Sequence, residues 1–145
     1  MEGDCLACQV IARTVVAPGG VIAETEHWCA DHCIGAFGVG AVVVKTKRHV
    51  ENLWELEPAA AEELGPFLRE ISGAIVGALG AERVYMTLWV DKPPHHVHLV
   101  MYPRYPGEDR RALDLQLALR DAGPPSFADA EKAAAALRAF MGQAS

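Results

Sequence analysis

The chain has 145 residues, 51% of them hydrophobic, and a formal net charge of −6 at pH 7. That length suits one domain, spanning 1–145, with a real core; the hydrophobicity excludes a disordered chain beyond the last few residues, and the acidic balance excludes a basic footprint for nucleic acid. With no run of about 18 apolar residues, and with an acidic start (Met1-Glu2-Gly3-Asp4) where a secretory leader would be basic, a cytoplasmic protein without a membrane partner is expected.

Two β-rich runs come first, Val21-Ile22-Ala23 and Gly40-Ala41-Val42-Val43-Val44, the second approached through Gly35 and Gly38. They read as antiparallel strands. After His49, Glu57-Pro58-Ala59 opens a stripe of Leu64, Phe67, Leu68, Ile71, Ile75 and Leu79 at spacings of three and four, which predicts one long helix. Pro58 suits its first turn, Gly65-Pro66 predicts a kink, and Gly80 ends it. Arg83 to Val90 reads as a strand, Lys92-Pro93-Pro94 as a turn, and His95 to about Tyr102 as a second strand. The chain turns polar from Pro106, and Ala128 to Met141 has the alanine-rich makeup of a terminal helix. The fold class expected is α+β: an antiparallel sheet with one long helix packed on it and a C-terminal helix.

Four cysteines without a sign of secretion favour metal or redox chemistry over disulfides, and Cys5-Leu6-Ala7-Cys8 is the leading metal candidate. Residues two apart on a strand share a face, so His96, His98 and Val100 point one way while Val97, Leu99 and Met101 point the other, toward a helix. Cys29-Ala30-Asp31-His32-Cys33 offers a competing metal set that would join Cys5 and Cys8 without help from the histidine strand. The plain alternative for Cys29 and Cys33 is a pair of buried, inert thiols.

Several pieces in order resemble the histidine triad nucleotide-binding proteins. Cys5-Leu6-Ala7-Cys8 resembles the CxxC that opens bacterial members, and Asp31 falls near the family's usual aspartate. Gly40 to His49 resembles "G-H-x-L-V-I-P-K-x-H". His96-Val97-His98-Leu99-Val100-Met101-Tyr102-Pro103-Arg104 resembles "H-φ-H-φ-H-φ-φ-P-R", followed by Gly107-Glu108-Asp109. Keeping Pro103-Arg104 in step puts the triad at 96, 98 and 100, with Val100 as its third member; the other register, 94, 96 and 98, would make His96 the nucleophile.

The resemblance implies a nucleotidyl hydrolase or transferase acting on a nucleoside phosphoramidate or dinucleoside polyphosphate, with His98 forming a nucleotidyl-histidine intermediate. The alternative it leaves is a zinc-stabilised nucleotide-binding module with little or no catalysis. It implies a purine nucleotide or nucleotidylated small molecule as partner, contacted by Lys92, His96, Arg104 and, in an apolar base pocket, Trp28 and Ile22. It also implies a homodimer, and a structural zinc held by Cys5, Cys8, His49 and His96, a closed set of two thiolates and two imidazoles. The sequence departs from the family's phosphate-holding Gly-Gln-x-Val, which is here Asp91-Lys92-Pro93-Pro94, where neither proline donates a backbone hydrogen bond. Lys45 and Lys47 read as solvated charge.

Overall fold

In the computed structural model, residues 2–143 are described; Met1 and the last two residues lie outside them, and with the latter, part of the C-terminal stretch to which the sequence expectation of disorder is confined. A short helix α1 (Leu6–Ile11) precedes three consecutive strands, β1 (Val21–Glu24), β2 (Trp28–His32) and β3 (Val42–Thr46). The long helix α2 (Pro58–Leu79) leads to β4 (Arg83–Thr87) and β5 (His98–Arg104), and α3 (Ala112–Ala122) and α4 (Phe127–Gln143) close the described chain. All pairings are antiparallel, in the order β1-β2-β3-β5-β4. No described helix is long and apolar enough to cross a membrane.

The two-residue period of the strands sorts the sheet into two faces. Trp28 and Ala30 of β2, Val42 and Val44 of β3, and Leu99 and Met101 of β5 pack on Phe67, Ile71, Ala74 and Ile75 of α2 and on Ala134 and Leu137 of α4. The α2 residues recur at three and four, which keeps them on one stripe; each large one buried adds about 1.5–3 kcal/mol. On the opposite face Leu115 of α3 packs on Cys33, Ala41, Val100 and Tyr102. Helix α3 therefore covers the lower half of β5 and leaves the half around His98 open.

Pro58 occupies the first turn of α2 and Gly80, at φ +75°, ends it. Gly65-Pro66, where a kink is expected, lies inside the helix, which continues past it; both residues are on the exposed side, where the carbonyl that loses its intrahelical donor meets water. Strand β5 starts later than expected, at His98. The preceding residues pair elsewhere: Val97 N–H donates to the Val50 carbonyl at 2.8 Å, and Thr46 N–H to the Val97 carbonyl at 3.3 Å. Three elements escape the sequence reading: α1, α3, and β2, whose five residues are all buried although two of them are Asp31 and His32.

Candidate functional site

Two groups of side chains meet at the upper end of β5. The first is a cluster of Cys5, Cys8, His49 and His96, whose ligand atoms all lie within 4.8 Å of one another. Cys5 caps α1 and Cys8 sits in its first turn, so one helical turn brings both sulfurs to one side, and the Cys8 N–H points at Cys5 Sγ. His49 follows β3, and His96 precedes β5. Cys8 Sγ lies 3.2 Å from His49 Nδ1 and 3.4 Å from His96 Nδ1; Cys5 Sγ lies 3.4 Å from His96 Nδ1, and the two Nδ1 atoms are 3.3 Å apart. A tetrahedral ion with metal–sulfur and metal–nitrogen bonds of about 2.3 and 2.0 Å separates its ligands by about 3.3–3.8 Å, close to these four separations. His96 is further prepared: its Nε2–H donates to the Thr46 carbonyl at 2.8 Å, which turns Nδ1, with its lone pair, toward the cluster. Burial keeps that imidazole on the neutral side, the form a metal ligand requires.

The competing set around Cys29, His32 and Cys33 does not assemble. Alternation along β2 sends His32 to the opposite face from Cys29 and Cys33. Both its ring nitrogens are engaged, Nδ1 donating to the Cys33 carbonyl at 2.9 Å and Nε2 accepting from Gly40 N–H at 2.9 Å. The two thiols are buried, and burial pushes Cys29 up and Cys33 up to about 11, away from the thiolate that binds metals.

The second group lines a cavity of about 330 Å³ over the open half of the sheet. Its floor is β2, β3 and β5; α1, the segment after β2 and the segment 89–94 form its walls, with His98 and His96 at one side. His98 Nδ1–H donates to the His96 carbonyl at 2.7 Å. That bond fixes the tautomer and leaves Nε2 as the lone-pair nitrogen of His98. Val100 continues the same face below it.

Of the other residues singled out in the sequence, Lys92 stands exposed on the cavity rim. Trp28 and Ile22 do not reach the cavity. Trp28 is wholly buried on the α2 face, where its Nε1–H donates to the Ala60 carbonyl at 2.7 Å, and Ile22 belongs to the same core. Arg104 lies at the far end of β5, six residues or about 20 Å from His98, where Nη1 donates to Tyr85 Oη at 2.8 Å and Nη2 faces Glu82. The apolar lining of the cavity includes Phe37, Val43, Trp89 and Val100 instead, with Leu6, Val10 and Ile34 on its walls.

The sequence reading missed one feature of the floor. Lys45, read as solvated charge, is 2% exposed and its ammonium lies 2.5 Å from Oδ2 of Asp31, itself 3% exposed. Burial pushes the Asp31 carboxyl up while the Lys45 ammonium opposes it. The available signal was a lysine inside the β-branched run Val42-Val43-Val44-Lys45-Thr46 and an aspartate inside another strand, at inward positions of opposite charge.

No family model and no curated protein matches the chain. Solved structures do. A zinc-bound histidine triad family protein from Mycobacterium smegmatis is 22% identical over 99% of this chain and 97% of that one, with a TM-score of 0.73. A hypothetical histidine triad nucleotide-binding protein from Sulfolobus tokodaii is 18% identical over 96% and 93%, with a TM-score of 0.77. A Hit-like protein involved in cell-cycle regulation from Bartonella henselae, solved with an unknown ligand, is 15% identical over 96% and 97%, with a TM-score of 0.75. These likenesses span nearly the whole of each chain, and the chain has the histidine triad fold.

Proposed function

We propose that the protein binds a purine nucleotide or a nucleotidylated small molecule in the cavity and transfers its nucleotidyl group through His98, with zinc held structurally by Cys5, Cys8, His49 and His96. The observation that carries this reading is the 2.7 Å bond from His98 Nδ1–H to the His96 carbonyl: it aims an unprotonated nitrogen from a rigid strand rather than a loop, as attack on phosphorus requires. His98 Nε2 would form a bond to the α-phosphorus while the bond from phosphorus to the leaving group breaks, an amine taking a proton from solvent and a phosphate leaving as its anion. Water then attacks phosphorus, the phosphorus–nitrogen bond breaks, and the nucleoside monophosphate and the neutral imidazole result, with a proton of the water released to solvent. Zinc, when bound, supplies folding free energy and no chemistry. The donor set and its spacing support it, as does the zinc reported for the Mycobacterium smegmatis relative.

The experiment is release of nucleoside monophosphate from adenosine and guanosine phosphoramidates and dinucleoside polyphosphates, comparing wild type with His98→Ala. Turnover lost by the variant while its unfolding temperature is kept supports the nucleophile; unchanged turnover eliminates that role. A second reading, a nucleotide-binding module without turnover, is favoured by Val100 at the third triad position and by two prolines where donors to phosphate are expected. Nucleotide binding without product release in wild type would select it.

A further inference from the structure

The Asp31–Lys45 pair belongs neither to the metal cluster nor to the nucleophile, yet it lies in the cavity floor beside His98. Lys45 pairs with His98 across β3 and β5 and with Cys29 across β2 and β3, so its side chain shares a face with both. Asp31, on β2, is one strand farther from His98. Seen from the nucleophile, the floor offers an ammonium first and a carboxylate beyond it.

An ion pair this buried is costly to desolvate and is tolerated when further hydrogen bonds complete it. Here the completion is partial. The ammonium has three donors, and its one described hydrogen bond goes to Asp31 Oδ2; Asp31 Oδ1 has no hydrogen-bond partner among the described residues. Both side chains line the cavity. What remains is a fixed order of unused capacity: donors near His98, an acceptor farther away.

We propose that this pair selects a guanine base over an adenine base, a specificity that rests on the nucleotide reading above. With its phosphate at His98, a purine presents its imidazole ring nearest the nucleophile, because the glycosidic bond is there. Along guanine's edge from that end come two acceptors, N7 and O6, and then two donors, N1–H and N2–H. The acceptors meet the Lys45 ammonium and the donors meet the Asp31 carboxylate. Adenine breaks the order, placing the N6 amino donor against the ammonium and the bare N1 lone pair against the carboxylate. A site built to bond a polar group rejects the analogue that leaves its buried groups unpaired, which makes such a floor more discriminating than an apolar one. Val43, Val100 and Phe37, with Trp89 half-exposed at the rim, supply apolar surface for the ring faces.

The test is titration calorimetry of the zinc-loaded protein with GMP, IMP and AMP. Wild type is expected to bind GMP at least tenfold tighter than AMP, with IMP, which keeps O6 and N1–H but lacks N2–H, in between. AMP binding as tightly as GMP overturns the proposal and leaves nucleotide binding standing, whereas binding of none of the three overturns both. The variant Asp31→Leu/Lys45→Met removes both charges together and so avoids stranding one of them. It is expected to bring GMP and AMP within threefold of each other; a folded double variant that keeps the wild-type ratio also overturns the assignment. The wild-type series decides the matter even if that variant fails to fold.

Discussion

Replacing Lys45 with methionine keeps most of the side-chain volume and removes the ammonium, leaving the Asp31 carboxylate buried beside Val43 and Val100. Breaking a buried pair from one side costs about 3–5 kcal/mol. At about 2.1 cal/mol/K per residue, the unfolding entropy of the 145-residue chain is about 0.3 kcal/mol/K. Lys45→Met should therefore lower the unfolding temperature by about 10–16 °C at pH 7, read by circular dichroism. The pH dependence has a definite sign. Burial already raises the Asp31 carboxyl, and without Lys45 the main opposing influence is gone, so the folded protein holds the Asp31 proton more tightly than the unfolded chain. The penalty is full above that raised folded value and fades as the pH falls toward the unfolded value of about 3.9. The paired Asp31→Leu/Lys45→Met variant should match or exceed wild-type stability, since replacing both partners of a buried pair with apolar groups is often neutral or stabilising. A Lys45→Met loss below about 1 kcal/mol, the worth of an exposed pair, would refute the burial on which this reasoning depends.

His27 joins the turn between β1 and β2 to the start of α2 through Glu63 on Nδ1 and Glu57 on Nε2, the latter at 2.9 Å. The hydrogen bond to Glu63 raises the imidazole above its ordinary value, so the stability it adds is fully present below about pH 6.5 and is lost as pH rises through the folded value. Urea unfolding across pH 5.5–8.5 should show that slope in wild type and a smaller one in His27→Gln; identical slopes would exclude the clamp. Gly40 sits at φ +89°, and a Cβ there would fall 2.6 Å from both Leu79 Cδ1 and Tyr105 Oη. Tyr105 cannot move without losing its 2.7 Å hydrogen bond to the Val39 carbonyl. Gly40→Ala should cost at least about 2 kcal/mol from backbone strain and overpacking together, and an unchanged urea midpoint would contradict this.

Where a local pattern had one physical meaning, the sequence carried it to the structure. The stripe from Phe67 to Ile75 can bury one face only as a helix, and the alternation around His98 can expose one histidine face only on a strand. The metal set was legible because two thiolates three positions apart need two further ligands, and the resemblance supplied His49 and His96. The structure brings those four together. What stayed hidden depended on partners distant in sequence. Strand β2 reads poorly because Asp31 and His32 interrupt it, and their burial makes sense only once Lys45 and the Gly40 N–H are placed against them. Trp28 and Ile22 are base-pocket candidates through the resemblance, which points to the early strands but not to the face each residue takes; that depends on register, which single residues of a short run do not fix. Helix α3 places its leucines, Leu113, Leu115, Leu117 and Leu119, at every second position, a strand-like spacing, so Leu115 and Leu119 become informative only with the sheet face beneath them.

His96 ties the two halves of the site together. Its Nδ1 faces the cysteine cluster, its Nε2–H is held by the Thr46 carbonyl, and its own carbonyl fixes His98 Nδ1–H. An ion in the cluster would therefore pin the backbone unit that orients the nucleophile, although it lies outside the chemistry. Groups that orient a functional side chain at one remove are typically worth 10–100-fold. Stripping the ion with a strong chelator, at a temperature where the protein remains folded, should thus lower turnover by about that factor. It should also broaden the Nδ1–H resonance expected of His98 from its hydrogen bond to the His96 carbonyl. Cys8→Ala should reproduce both effects with Cys5, His49 and His96 still in place. Full turnover and a sharp Nδ1–H signal in the stripped, folded protein would mean that the Thr46 carbonyl alone holds His96, and that the cluster serves stability without reaching His98.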